Sequence, residues 1–186
     1  MELTLAKLKE LKACKSGIKL YKSFGTTDLK ELFELAYAKE EFYEIEWVLT
    51  RLLNSDQLIK WALFAAKSVL PYFENIFPED GRPRRTLEAA EAYFINPTEE
   101  NRLVCGAQYN DACVAADYVY SVVAIEWVYT TCIAAVKVVH VVTQDLTLKQ
   151  LSHDVHHIIY YVLRYAGGDR RSIYKYAIQL LTGDEK

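Results

Sequence analysis

A histidine-rich segment near the C-terminus carries the residues best suited to metal chemistry. His153, Asp154 and His157 form the pattern H-D-x-x-H, and residues four apart share one face of a helix. In the related pattern H-E-x-x-H, two histidines bind zinc and the glutamate activates water. A third ligand would have to come from His140 on a neighbouring element. The segment therefore predicts a metal-dependent hydrolase as an alternative function of this chain.

The aspartate weakens the hydrolase hypothesis, because its side chain is one methylene shorter than glutamate and no third ligand follows at the spacing of zinc proteases. We favour histidines that are solvated or face a partner. In that setting they could tune binding between about pH 5 and pH 7.

A second candidate site lies just beyond the histidines, where basic residues alternate with tyrosines. The candidate partner-binding residues are Tyr160, Arg164, Arg170, Arg171, Tyr174 and Lys175. Tyrosine rings can stack on bases and arginines can hold phosphates. Tyrosine and arginine are also enriched in protein-binding hot spots. We predict a protein contact here and keep a nucleic-acid-binding module as an alternative.

The rest of the sequence gives little sign of catalysis. It contains no G-x-G-x-x-G, no P-loop and no G-x-S-x-G motif. The four cysteines form no C-x-x-C pair, which fits free thiols in a reducing cytoplasm better than disulfides or a zinc site. We therefore predict a cytoplasmic protein that is not an enzyme and uses no cofactor. The net charge of −3 provides no global attraction for nucleic acid.

The elements that position these residues are predicted to be helices. The chain has 186 residues, of which 7 are glycine and 4 are proline, and this scarcity of turn residues favours helical structure. Residues 103–136 contain only three charged side chains, so this stretch should form the core element. We predict one long central helix over about 98–142. The β-branched residues 119–142 also allow strands, but no glycine or asparagine turn divides them into hairpins.

The apolar stretch of residues 119–136 is about as long as the minimum needed to span a bilayer. Glu126 lies near its midpoint, and a carboxylate there would be costly in lipid. We therefore predict no membrane association. The predicted fold is an all-α helical bundle in a single domain, 1–186, in which the N-terminal helices of residues 1–54 pack on a core formed by 55–186.

A turn and the helix after it carry a resemblance to known proteins. Asp80-Gly81-Arg82-Pro83-Arg84 opens the pattern D-x-R-P-R-x-x-x-E-A-A, which is followed by a helix rich in small residues. Over roughly residues 55–140 the chain resembles proteins labelled as immunity proteins. It is also similar to Ala/Tyr-rich bacteriophage proteins.

This resemblance implies a small intracellular protein that works by binding another protein. The partner would be a bacterial protein, either a toxin or a defence effector. If the chain is encoded by a phage, it would act in the host cytoplasm on a defence complex such as a CRISPR effector. The family has no established catalytic residues to transfer to this sequence, and its oligomeric state stays open.

Overall fold

A computed structural model describes residues 1–123, 126–164 and 167–184 of the chain. Within these ranges the chain forms ten α-helices, one π-helix and no strand, which confirms the all-α prediction. The α-helices are α1 (Leu5–Glu10), α2 (Lys15–Phe24), α3 (Leu29–Ala38), α4 (Phe42–Leu52), α5 (Ser55–Ile76), α6 (Arg82–Ile95), α7 (Glu99–Tyr118), α8 (Glu126–Thr143), α9 (Leu148–Arg164) and α10 (Arg170–Thr182). The π-helix is Val119–Val123.

Local residue chemistry sets many of the helix ends. The Thr4 hydroxyl accepts a hydrogen bond from the backbone N–H of Lys7 and caps α1, and Thr98 caps α7 in the same way. At the end of α2, Gly25 adopts a φ of 71°, a left-handed conformation that costs glycine little. Asn54 and Gln57 form a reciprocal capping box at the start of α5. These ends follow from residues within a few positions of each other.

The predicted single helix over 98–142 is wrong. α7 ends at Tyr118, the π-helix follows, and α8 begins at Glu126, while residues 124 and 125 lie outside the described ranges. α7 and α8 pack against each other, which two halves of one straight helix could not do. Ala115 and Ala116 of α7 share a buried cluster with Cys132 of α8. Small side chains let the two helices approach closely, so the chain buries more apolar surface by folding back.

The centre of the bundle is α5. It packs against α6, α8, α9 and α10, and its Trp61 is fully buried. The Trp61 indole Nε1–H donates to the carbonyl oxygen of Ile173 at 2.9 Å, which ties α5 to α10 and satisfies the buried donor. The helix runs through Pro71 without ending there. α5 therefore positions α9 and α10, the two helices that carry all of the predicted site residues except His140.

The N-terminal helices contribute to two clusters. Leu3 and Leu8 pack with Leu29 and Leu32 of α3 in a small separate core. α3 and α4 also supply Phe33, Ile45 and Leu49 among others to the main core. α4 contacts both α9 and α10, so it joins the N-terminal helices to the helices that carry the predicted partner-binding residues.

A helix that spans a bilayer must be both long and apolar. None of the described helices is both long enough and apolar enough to cross a membrane.

Candidate functional site

The predicted partner-binding residues lie on two helices. Tyr160 and Arg164 belong to the last turns of α9, and the other four belong to α10. Residues 165 and 166, which connect the two groups, lie outside the described ranges. Arg164 lies over the ring of Tyr160, with 5.9 Å between the guanidinium carbon and the ring centroid. Both side chains are exposed, so this pair remains on the surface.

The two arginines that open α10 make contacts within the protein. The Arg170 guanidinium lies 4.1 Å from the centroid of the Phe42 ring. Arg171 forms an ion pair with Glu34 and lies 5.0 Å from the ring centroid of Tyr37. Cations over aromatic rings and paired with carboxylates are already stabilised. These arginines therefore hold α10 against α3 and α4.

Tyr174 is buried in the core rather than exposed to a partner. Its hydroxyl donates to the carboxylate of Glu46 on α4. Burial raises the pKa of Glu46 above its ordinary value, although the Tyr174 hydrogen bond and Arg170 act against this shift. Burial also raises the pKa of Tyr174. The pair is thus a buried hydrogen bond between α4 and α10.

His156 completes this buried network from α9. Its Nδ1 lies 3.5 Å from the second carboxylate oxygen of Glu46. The pKa of His156 is lowered, first because burial disfavours the charged ring and then because of the nearby His153. One carboxylate therefore joins three helices.

Glu46 was not among the residues predicted from the sequence. It follows Ile45 and stands four residues after Phe42 and three before Leu49, on the apolar face of α4. A charged residue on an apolar helix face was the available signal, since buried carboxylates need a partner.

Of the other three histidines, two lie against each other and the third lies near an aspartate. The Nε2 atoms of His153 and His157 lie 3.2 Å apart, and His140 Nε2 of α8 lies 3.8 Å from an Asp154 oxygen. α8 does therefore bring His140 to α9. Among the residues that the structure describes, no group of three or more His, Cys, Asp or Glu side chains could hold a metal ion. The pKa of His157 is lowered, mainly by burial and then by His153 and His156.

Lys175 points to a different place, a groove between α3, α5, α6 and α10 with a volume of about 960 Å³. Phe64 and Tyr176 stack in this groove with their ring centroids 4.3 Å apart. Charges of both signs surround them. Lys67 pairs with Glu91 at 2.6 Å, and Lys30 pairs with Asp184 at 2.7 Å. The groove is therefore close to balanced in charge.

The Arg-Pro turn, residues 80–84, is held in place by contacts within the protein. Arg82 binds Asp80 with two hydrogen bonds of 2.8 and 2.6 Å, and Arg84 binds Glu74 with two of 2.6 and 2.7 Å. The Thr86 hydroxyl donates to the carbonyl oxygen of Gln108 on α7 at 2.8 Å. Bidentate pairs fix the orientation of the guanidinium group. The turn thus joins α5, α6 and α7.

Comparison with known proteins gives one match. The sequence model of a family described as Imm-5 like putative immunity protein matches residues 49–99. This range includes α5, the Arg-Pro turn and α6, and it confirms the predicted resemblance to immunity proteins over these residues. The predicted resemblance extended to about residue 140, whereas the match ends at Glu99. No curated protein and no solved structure matches the chain significantly.

Proposed function

We propose that this protein is a non-catalytic inhibitor that binds a bacterial toxin and neutralises it. The observation that carries the proposal is the immunity-family match at residues 49–99. The partner is a protein, and the complex forms in the cytoplasm of the cell that needs protection. A host defence complex such as a CRISPR effector is the corresponding target if the chain is encoded by a phage.

The geometry of the matched segment supports separate structural and target-binding regions in the molecule. α5 is the centre of the core, and the arginines of the turn are bound to Asp80 and Glu74. These contacts make residues 49–99 a scaffold. Function resides in sites carried by a fold, so target recognition belongs to exposed side chains on this scaffold. In the C-terminal region, Tyr160, Arg164 and Lys175 remain exposed and are candidates for such a contact.

Growth rescue tests this proposal directly. Each gene that neighbours the coding sequence is expressed from an inducible promoter in a bacterial host, alone and together with this protein. We expect one neighbour to arrest growth by itself and to be neutralised on co-expression. The purified pair should then elute as one complex in size-exclusion chromatography.

The control is a variant that cannot fold its core, Trp61→Asp, which should give no rescue at equal expression of messenger RNA. The proposal is wrong if no neighbouring gene product is toxic and rescued. It is also wrong if rescue occurs without a physical complex, because an enzyme acting on a toxic product would give that result.

A further inference from the structure

The outward face of α7 exposes apolar side chains along its length. Leu103 is 61% exposed and Val114 is 58% exposed. Tyr118, the last residue of α7, and Tyr120 of the π-helix that follows are exposed as well. Leu103, Ala107, Asn110, Val114 and Asp117 follow one another at alternating steps of four and three residues. This spacing places them in one stripe on a helix.

The opposite side of α7 is buried. Cys105, Ala112, Ala115 and Ala116 pack into the bundle. A surface helix ordinarily has one apolar face and one polar face, whereas α7 has apolar residues on both. An exposed apolar stripe with polar edges marks a site of interaction.

Carboxylates lie at the end of this stripe and beside it. Glu100, Asp111 and Asp117 are exposed, and none of them forms an ion pair with another residue of the described ranges. Glu99 is different, because it pairs with Arg102. Arg82 is held by two hydrogen bonds to Asp80, which are the main reason that its pKa is raised, and the charge of Asp111 adds to this shift. Within the described ranges, the unpaired charged groups beside the stripe are therefore carboxylates.

We propose that this acidic α7 face is the docking site for a cationic amphipathic helix of a protein partner. The face consists of Glu100, Leu103, Ala107, Asn110, Asp111, Val114 and Asp117. Apolar side chains of the partner cover Leu103 and Val114, and its lysines and arginines meet the carboxylates. The inference rests on the proposed function and adds the surface and the chemistry of the partner.

Charge decides between possible occupants of the acidic α7 face. A nucleic acid would bring phosphates against Asp111 and Asp117, and a second copy of this chain would bring the same carboxylates against themselves. Like charges that face each other across an interface are unfavourable. A cationic protein segment instead gains attraction at the rim and burial at the stripe.

The test uses a defined probe, a fluorescein-labelled helical peptide of about 18 residues made of leucine and lysine, with the leucines spaced three and four apart. A second peptide has glutamate in place of lysine. Fluorescence anisotropy gives the affinity of each peptide for the full-length protein. We expect the lysine peptide to bind and the glutamate peptide not to bind.

The decisive variant is Asp111→Lys with Asp117→Lys. It should weaken binding of the lysine peptide about ten-fold, through the lost attraction of two rim charges. The matched control, Glu40→Lys with Asp145→Lys, changes the net charge equally at exposed positions in the turn before α4 and in the turn after α8, and should change the affinity less than about two-fold. Both variants alter exposed positions, and circular dichroism checks that they are folded.

Three outcomes would overturn the docking site: unchanged binding in the α7 variant, equal weakening in both charge variants, or a dimer in analytical ultracentrifugation that Val114→Asp dissociates.

Growth rescue separates this inference from the proposed function. If Asp111→Lys with Asp117→Lys rescues growth as well as the wild type, the docking site is wrong and the inhibitor function stands. If the wild type rescues no neighbouring gene, the inhibitor function fails whatever the peptide does.

Discussion

The C-terminal Arg/Tyr region and the acidic α7 face show that residue type alone does not make a binding surface. Tyrosine and arginine are typical of hot spots, yet Tyr174 is buried on Glu46 and Arg171 is paired with Glu34. On α7, ordinary residues such as Leu103 and Asp111 stay exposed. Arg170, Arg171 and Tyr174 of the first region bind other parts of their own chain, whereas the second face is available to another molecule.

These two regions differ in whether their charged side chains already form contacts within the protein. A cation that stacks on Phe42 or pairs with Glu34 would have to give up that contact before it bound a partner. The exposed carboxylates of Asp111 and Asp117 form no ion pair with a described residue and so have no such contact to give up. Substitutions of Arg170, Arg171 and Tyr174 should therefore act mainly on stability, and substitutions on the α7 face mainly on binding.

The largest effect should come from Tyr174. Tyr174→Ala removes a buried ring and the donor to Glu46, so we expect the free energy of unfolding to fall by about 3–5 kcal/mol. Tyr174→Phe keeps the ring but leaves a buried carboxylate short of a hydrogen bond, which should cost about 1–3 kcal/mol. Urea denaturation measures both. A loss below about 0.5 kcal/mol in Tyr174→Ala would show that this residue is not part of the core.

The buried network should also make stability depend on pH. Burial lowers the pKa of His156 and His157 below the ordinary value of 6.5. The unfolded chain therefore binds more protons between the lowered values and 6.5, and stability is lost as the pH falls through that window. We expect a lower melting temperature at pH 5.5 than at pH 7.5.

Replacing both histidines, as in His156→Gln with His157→Gln, should flatten this dependence on pH. Glu46 acts in the opposite direction, because its pKa is raised and its ionisation above the ordinary value of 4.5 costs folding energy. Differential scanning calorimetry at several pH values separates the two effects. An identical slope in the wild type and the double variant would contradict the role given to the histidines.

A smaller effect is expected at Arg171. Its ion pair with Glu34 is about half exposed, so Arg171→Gln should lower the free energy of unfolding by less than about 1 kcal/mol. A double-mutant cycle with Glu34→Gln isolates the pair from the contact with Tyr37. A coupling energy near zero would mean that the contact with the ring, rather than the ion pair, holds this arginine.

The smallest change in stability should come from the α7 face. Asp111→Lys with Asp117→Lys alters exposed residues that pair with no described residue, so the free energy of unfolding should stay within about 0.5 kcal/mol of the wild type. The same urea titration checks it. A loss as large as that of Tyr174→Phe would remove the contrast between the two regions.

Much of the secondary structure could be predicted because its causes are local. Thr4 and Thr98 are both followed within three residues by the N–H groups that they cap, and Gly25 ends α2 by its own conformational freedom. The break between α7 and α8 has no such signal, because residues 119–125 contain no glycine, proline or asparagine. It reflects packing of one helix on the other.

The candidate site was predicted only in part for the same reason. The positions of His153 and His157 on one face of α9 follow from a spacing of four residues. The partners of Tyr174 and Arg171 lie 128 and 137 residues away along the chain. No periodicity connects residues at that separation.

The sequence by itself determined that this chain is all helical, that several helices begin or end where a capping residue stands, as at Thr4, Gly25 and Thr98, and that residues 49–99 resemble an immunity-protein family. Propensity, capping and the apolar pattern act over a few residues, so they can be recognised without the fold. The tertiary structure alone decided that the apolar stretch folds back on itself, that Glu46, Tyr174 and His156 meet, and that the outward face of α7 stays exposed. Each of these depends on which surfaces stay exposed after the core has packed. Core packing involves residues that are far apart in the sequence, so it is a property of the whole bundle.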